Sequence, residues 1–190
     1  MGKIVISTNV SLDGVAQDPD GKEGTDVGGW FDQFMTTDRA PWLAILTQEA
    51  MAAEALLLGR RSDEWFAERW LQRSSPFADR LNGMPKYVVS STLDEPRWSN
   101  ATVLTGDVVD QVTKLKQSVP GEILLYASYQ LGQLLLEHDL VDELRLFVLP
   151  VVVGGGRRLF GGTSGRKPLL LVRTETVGEG LALLTYRVAR

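Results

Sequence analysis

Cysteine is absent from this 190-residue chain, and histidine occurs once, at His138. Disulfides, zinc–cysteine sites and thiol nucleophiles are therefore excluded. A lone imidazole does not build a transition-metal site either. The G-x-S-x-G nucleophile elbow is missing, so a Ser-His-Asp hydrolase is unsupported. No G-x-G-x-x-G follows the first apolar run and no G-K-[ST] occurs anywhere, which removes the Rossmann and P-loop fingerprints. No apolar stretch approaches the roughly 20 residues that cross a bilayer. The opening Met1–Ser7 is too short a run for a signal peptide. Lys and Arg form no run and the net charge is −4, which argues against non-specific nucleic-acid binding. These absences lead us to expect a cytoplasmic protein with a small-molecule substrate and neither a nucleic-acid nor a membrane partner.

What is present reads as one α/β domain over residues 1–190. Hydrophobic residues make 44% of the chain and charged residues 23%, ordinary values for a globular fold. Lys3–Val10 is β-branched and alternating, a strand. Ser11–Gly29 is a Gly- and Asp-rich loop, long enough to be functional or mobile, and its first part, Ser11–Ala16, follows the strand directly where it could fold over a cofactor. A helix is expected over Pro41–Ala55, a strand over Ala55–Leu58, and a helix over Arg61–Trp70 with Ser62 or Asp63 at its start. Strands follow at Tyr87–Ser90 and Thr102–Leu104. Asp107 caps a helix, Ile123–Tyr126 is a strand, and Ser128 caps another helix that reaches Asp139. Glu143–Val153 reads as one long strand broken by Gly154-Gly155-Gly156, and Pro168–Val177 with Leu181–Val188 as a hairpin. Helices alternate with strands first and strands dominate the end, which predicts a mostly parallel mixed sheet flanked by helices, with antiparallel strands at one edge.

Three junctions concentrate phosphate-binding chemistry: Gly59-Arg60-Arg61-Ser62, Ser90-Ser91 and Ala127-Ser128-Tyr129-Gln130. Ligands of open α/β sheets lie outside the carboxyl ends of strands. Helix amino termini offer free N–H groups and a positive dipole end to anions, and arginine pairs bidentately with phosphate. Taken singly, each serine is better explained as a cap and each arginine as surface charge. Three such junctions together shift the balance towards a dinucleotide. Gly154–Arg158 is either a phosphate nest or, with slightly more weight, a bend that ends a strand. Asp13-Gly14 is a turn pair or part of a ligand-covering loop. Asp18, Asp20 and Asp26 lack calcium-loop spacing and read as a solvated acidic loop. Trp30, Phe31 and Phe34 read as core. His138 reads as a charge at a helix carboxyl end.

The ordered set Val10–Gly14, Leu57–Ser62, Lys86–Leu93, Leu140–Leu146 and Pro150 with Gly154–Phe160 resembles the reductase domain shared by dihydrofolate reductases and the carboxyl-terminal domain of bacterial riboflavin-pathway (RibD) reductases, particularly its small stand-alone members. The resemblance implies a dihydrofolate-reductase-like fold and an NADPH site. Gly59, Arg60, Arg61 and Ser62 would hold phosphates, and Ser90 and Ser91 would lie by the 2′-phosphate. Ala127, Ser128, Tyr129, Gln130 and Leu131 would hold the pyrophosphate, and Val10, Ser11 and Gly14 would border the nicotinamide. Arginines without an acidic neighbour at Gly59–Ser62 favour NADPH over NADH. Relatives carry glycine at Ala127, and dihydrofolate reductases carry an acid on the first long helix, where Leu43, Ala44 and Ile45 stand here. The expected substrate is therefore another small heterocycle, with Asp13, Asp32 or Asp38 as candidate catalytic acids. The rival expectation is a non-catalytic nucleotide- or ligand-binding protein of the same fold. A homodimer, paired through Leu144–Val153, is compatible with either.

Overall fold

The computed structural model describes residues 1–189. Its centre is an eight-stranded sheet, β4-β3-β2-β5-β1-β6-β8-β7. The strands are β1 (Lys3–Ser11), β2 (Ala55–Gly59), β3 (Lys86–Val89), β4 (Ala101–Leu104), β5 (Glu122–Tyr126), β6 (Glu143–Leu149), β7 (Leu169–Val177) and β8 (Leu181–Val188). β1 through β6 pair in parallel, while β8 runs antiparallel to β6 and to β7. The expected mixed sheet with a carboxyl-terminal hairpin is therefore what forms.

Alternation along the strands separates two cores. Val5, Leu56, Leu58, Leu124 and Phe147 face α1 (Trp30–Phe34), α2 (Arg39–Ala52), α3 (Arg60–Trp70) and α4 (Pro76–Gly83). Ile4, Ile6, Leu57, Ile123 and Leu125 face α5 (Val108–Ser118) and α6 (Tyr129–Glu137). Asp107 caps α5 as expected, its carboxylate accepting from Asp110 N at 2.8 Å. The short α1 and α4 escaped the sequence reading. α4 carried a readable start: Ser75 Oγ accepts from Ala78 N at 3.1 Å, and Pro76 holds the first helical position. Trp30 and Phe31 are buried as expected, but Phe34 is not.

The expected strand over Glu143–Val153 stops at Leu149. Pro150 has no N–H to continue a ladder, and Val151 N turns back onto Leu149 O at 2.8 Å. β6 lies between β1 and β8, so both of its edges are occupied. It cannot pair with a second copy, which corrects the expected dimer contact through Leu144–Val153. Gly154 and Gly156 take positive φ in a bend whose residues bond to the loop after β1: Ala16 N donates to Arg157 O at 3.0 Å. The glycine run forms the bend given the greater weight in the sequence.

Candidate functional site

A cavity of about 690 Å³ opens at the carboxyl ends of β2 and β5 and beside the middle of β1, within the usual size of small-molecule sites. Because β2 lies between β3 and β5, the three junctions singled out in the sequence are neighbours. Gly59, Arg60, Arg61, Ser62 and Ala127 to Leu131 all line the cavity.

Ser128 organises this wall. It does not cap α6 with its side chain, as the sequence suggested; it takes a left-handed backbone, φ 49, with no capping bond. Its Oγ instead accepts from Gly59 N at 3.0 Å and donates to Ser62 Oγ at 2.7 Å. One hydroxyl therefore staples the start of α3 to the start of α6. Ser62 does not cap α3 either; Gly59 is the N-cap, without a side-chain bond. Both helices consequently present uncapped amino termini, with their free N–H groups and positive dipole ends, to the same cavity. Among the described residues, Arg60 and Arg61 form no ion pair with an acid, whereas Arg69 pairs with Asp20 at 2.7 Å. Gly59 has ordinary extended geometry, φ −83, and an added Cβ would meet only Ser128 Oγ, at 3.8 Å. The fold itself does not demand a glycine there, and the missing side chain leaves room beside the staple. Uncapped amides, unpaired guanidinium groups and that space suit a phosphorylated cofactor.

Other expected positions fall elsewhere. Ser90 and Ser91 follow β3 but do not line the cavity; Val89 does. Ser90 Oγ accepts from Thr92 N and Leu93 N at 3.2 and 3.0 Å, holding its own turn. Val10, Ser11 and Gly14 are also outside the wall, which Ser7, Thr8, Asn9 and Ala16 form instead. The register explains the offset. Ser7 lies opposite Tyr126, the last residue of β5, while β1 runs on beside β6 to Ser11. The cavity thus meets β1 before the strand ends.

Two of the three candidate acids are structural. Asp13 accepts from Ser11 Oγ at 2.7 Å and from Val153 N and Gly154 N at 3.0 Å each. These bonds, led by the Ser11 hydroxyl, lower its pKa from 3.8 to about 2. Asp38 accepts from Glu179 N, Gly180 N and Leu181 N at 2.8 to 3.0 Å. It clasps the β7–β8 turn, and a Cβ on Gly178, at φ +65, would collide with it. Asp32 does line the cavity, ion-paired to Arg39 at 2.8 Å.

The acidic loop is solvated only in part: Asp26 is exposed, as its sequence suggests, whereas Asp18 and Asp20 are engaged. Asp18 is fully buried and accepts from Glu23 N, Thr25 N and Thr25 Oγ1 at 2.8 to 3.0 Å. Asp20 accepts from Trp65 Nε1 and Arg69 Nη2, each at 2.7 Å. These bonds hold Pro19, Asp20, Lys22 and Glu23 over the cavity.

The sequence reading missed the aromatic half of the wall: Trp42, Trp65, Phe66, Trp70 and Phe77, beside Phe31. Trp70 Nε1 and Arg69 Nε are buried there without an acceptor among the described residues. It also missed Glu49 on α2, which is buried beneath the cavity floor and accepts from Ser7 Oγ at 2.8 Å. Burial raises the Glu49 pKa against the opposing pull of Ser7 and Arg145. The signal was an acid on an apolar helical stripe, among Leu46, Ala50 and Ala53.

A family model described as the RibD C-terminal domain matches residues 2–183. The chain belongs to the RibD C-terminal domain family. Two Bacillus subtilis (strain 168) proteins are similar in sequence, both described as uncharacterized. YyaP is 29% identical over 138 residues, 70% of this chain and 73% of that protein. YwjB is 25% identical over 188 residues, 95% of each. In structure, a candidate riboflavin biosynthesis protein of Shewanella sp. PV-4 superposes with a TM-score of 0.75 at 22% identity, covering 99% of both chains. The Thermotoga maritima diaminohydroxyphosphoribosylaminopyrimidine deaminase/5-amino-6-(5-phosphoribosylamino)uracil reductase superposes at 0.64 and 14% identity, over 99% of this chain and 57% of that one. Acinetobacter baumannii RibD gives 0.70 at 13% identity, over 100% and 58%. The three superposed structures thus share the fold of this chain.

Proposed function

We propose that this chain is an NADPH-dependent reductase of a small, flat heterocyclic compound. The observation that carries the proposal is the Ser128 staple, which brings two uncapped helix amino termini and the Arg60 and Arg61 side chains onto one cavity. The free amides of Tyr129, Gln130 and Leu131 suit a pyrophosphate. Arg60 and Arg61 suit the additional phosphate that distinguishes NADPH from NADH. When bound, the cofactor supplies hydride. The chain's part is to bind, orient and exclude water. Phe31 and Trp42, with ring centroids 5.0 Å apart, flank the substrate half with flat apolar surface. The Trp70 and Arg69 donors there await an acceptor-bearing substituent. Membership of the RibD C-terminal domain family, together with the likeness in fold to the Thermotoga maritima protein described as a 5-amino-6-(5-phosphoribosylamino)uracil reductase, supports a heterocyclic substrate.

The test is a titration of NADPH followed by tryptophan quenching, since Trp42, Trp65 and Trp70 line the cavity. Saturable quenching, with Arg60→Ala weakening NADPH about ten-fold and NADH much less, is the expected outcome; ten-fold corresponds to about 1.4 kcal/mol. Equal losses for both nucleotides would remove Arg60 from phosphate recognition. Binding without oxidation across a substrate panel would favour a ligand-binding protein instead.

A further inference from the structure

Resting on the reductase reading, we propose that Ser7 is the proton donor to the substrate, with Glu49 as the buried acid that recharges it. Reduction of a C=N or C=O bond consumes one hydride and one proton. Asp13 and Asp38 are bound into turns and Asp32 is tied to Arg39, so the proton needs another source. Ser7 lines the cavity floor, and its Oγ lies 2.8 Å from Glu49 Oε2.

The direction of this bond depends on Glu49. With Glu49 ionised, the Ser7 hydroxyl donates into the carboxylate and shows the cavity only lone pairs. With Glu49 protonated, the carboxyl donates to Ser7 Oγ and the hydroxyl hydrogen is free to face a ligand. The step then balances: the Ser7 proton passes to the substrate heteroatom as the carbon takes hydride, the Glu49 proton passes to Ser7 Oγ, and Glu49 is left a carboxylate that solvent later reprotonates.

The groups around Glu49 suit both states. Arg145 on β6 stands 3.6 Å away, a cation to receive the new charge. Glu122 and Glu143 pair with the same guanidinium at 3.0 and 2.7 Å, so its charge is shared and the acid is not held permanently ionised. Tyr126 on β5 donates to Glu49 Oε2 at 3.4 Å. Burial raises the Glu49 pKa, so the protonated form persists above the usual carboxylate range.

The test reads the pair directly and then in turnover. The carboxyl carbon resonance of Glu49 in 13C-labelled protein, assigned by its loss in Glu49→Gln, is followed against pH in wild type and Ser7→Ala. We expect titration above the ordinary glutamate range of about 4.3, moved further upward in Ser7→Ala because a donor to the charged form is lost. NADPH oxidation is measured on a panel of dihydropterins, aminouracils and cyclic imines. The rate is expected to fall as pH rises through the Glu49 titration. Ser7→Ala and Glu49→Gln are expected to lose about 100-fold while binding NADPH as wild type does, and Glu49→Gln to lose that pH limb. Ordinary titration of Glu49, no response to Ser7→Ala, or a pH limb that survives in Glu49→Gln overturns the relay. Loss of NADPH binding in the wild type overturns the reductase reading itself. Wild-type protein that binds NADPH but reduces nothing in the panel overturns the proton-donor role while the resonance still reports the pair.

Discussion

Ala127 holds φ +50 immediately before Ser128 at φ +49, two consecutive left-handed residues without glycine. A Cβ in that region costs roughly 1–2 kcal/mol, partly offset because alanine loses less chain freedom on folding than glycine, by about 0.5–1 kcal/mol. Ala127→Gly is therefore expected to stabilise by up to about 1 kcal/mol in denaturant unfolding. It is also expected to tighten NADPH several-fold by removing a methyl from the cavity wall; weaker binding would show that the methyl is a useful contact. At Asp13, the sequence offered a catalytic acid and the structure gives a clasp. Its folded pKa of about 2 lies below the ordinary 3.8, so its contribution to stability is present above pH 3.8 and is lost as pH falls towards 2. Asp13→Asn should lower the melting temperature at pH 7, with the gap to wild type narrowing in acid while NADPH affinity is retained. A gap independent of pH would mean that the carboxylate charge is irrelevant to the clasp.

Elements were legible where local pattern and tertiary fate agree. The β-branched run of β1, the continuous apolar run of β2 and the hairpin of β7 and β8 read directly as strands, and Asp107 announced α5. Ser128 shows where the reading stopped. As a serine before a helix it resembles a cap, yet its hydroxyl is taken by Gly59 and Ser62, contacts made 69 and 66 residues away that no local window contains. Glu49 escaped for a related reason, since the apolar stripe around it conceals an acid whose partners come from β1, β5 and β6. Removing the staple tests its worth. Ser128→Ala leaves Gly59 N–H without its acceptor, at a cost of about 1–3 kcal/mol, and should weaken NADPH at least ten-fold in the quenching titration. Unchanged affinity would show that the two helix starts are held in place by packing alone.

Across the whole molecule, the sheet order relocates any self-association. β6 is interior, so the strand expected to form a dimer contact is already paired on both sides. β7 is an edge, and its Leu170, Leu171 and Val172 are 49%, 57% and 58% exposed. An exposed apolar edge strand invites another chain. If the homodimer we expect forms, Leu171→Lys should shift sedimentation towards monomer while leaving tryptophan quenching by NADPH intact. A wild-type protein that sediments as a monomer at high concentration would remove the dimer altogether. No helix among the described residues is long and apolar enough to cross a membrane. The bond between Gly59 and Ser128 also joins folding to ligand capture. The chain leaves the site at α3, builds α4, β3, β4 and α5, and returns only when β5 takes its place against β2. A polypeptide ending before residue 128 lacks the α6 half of this wall, so a ligand held there would stabilise only chains in which β5 has joined β2.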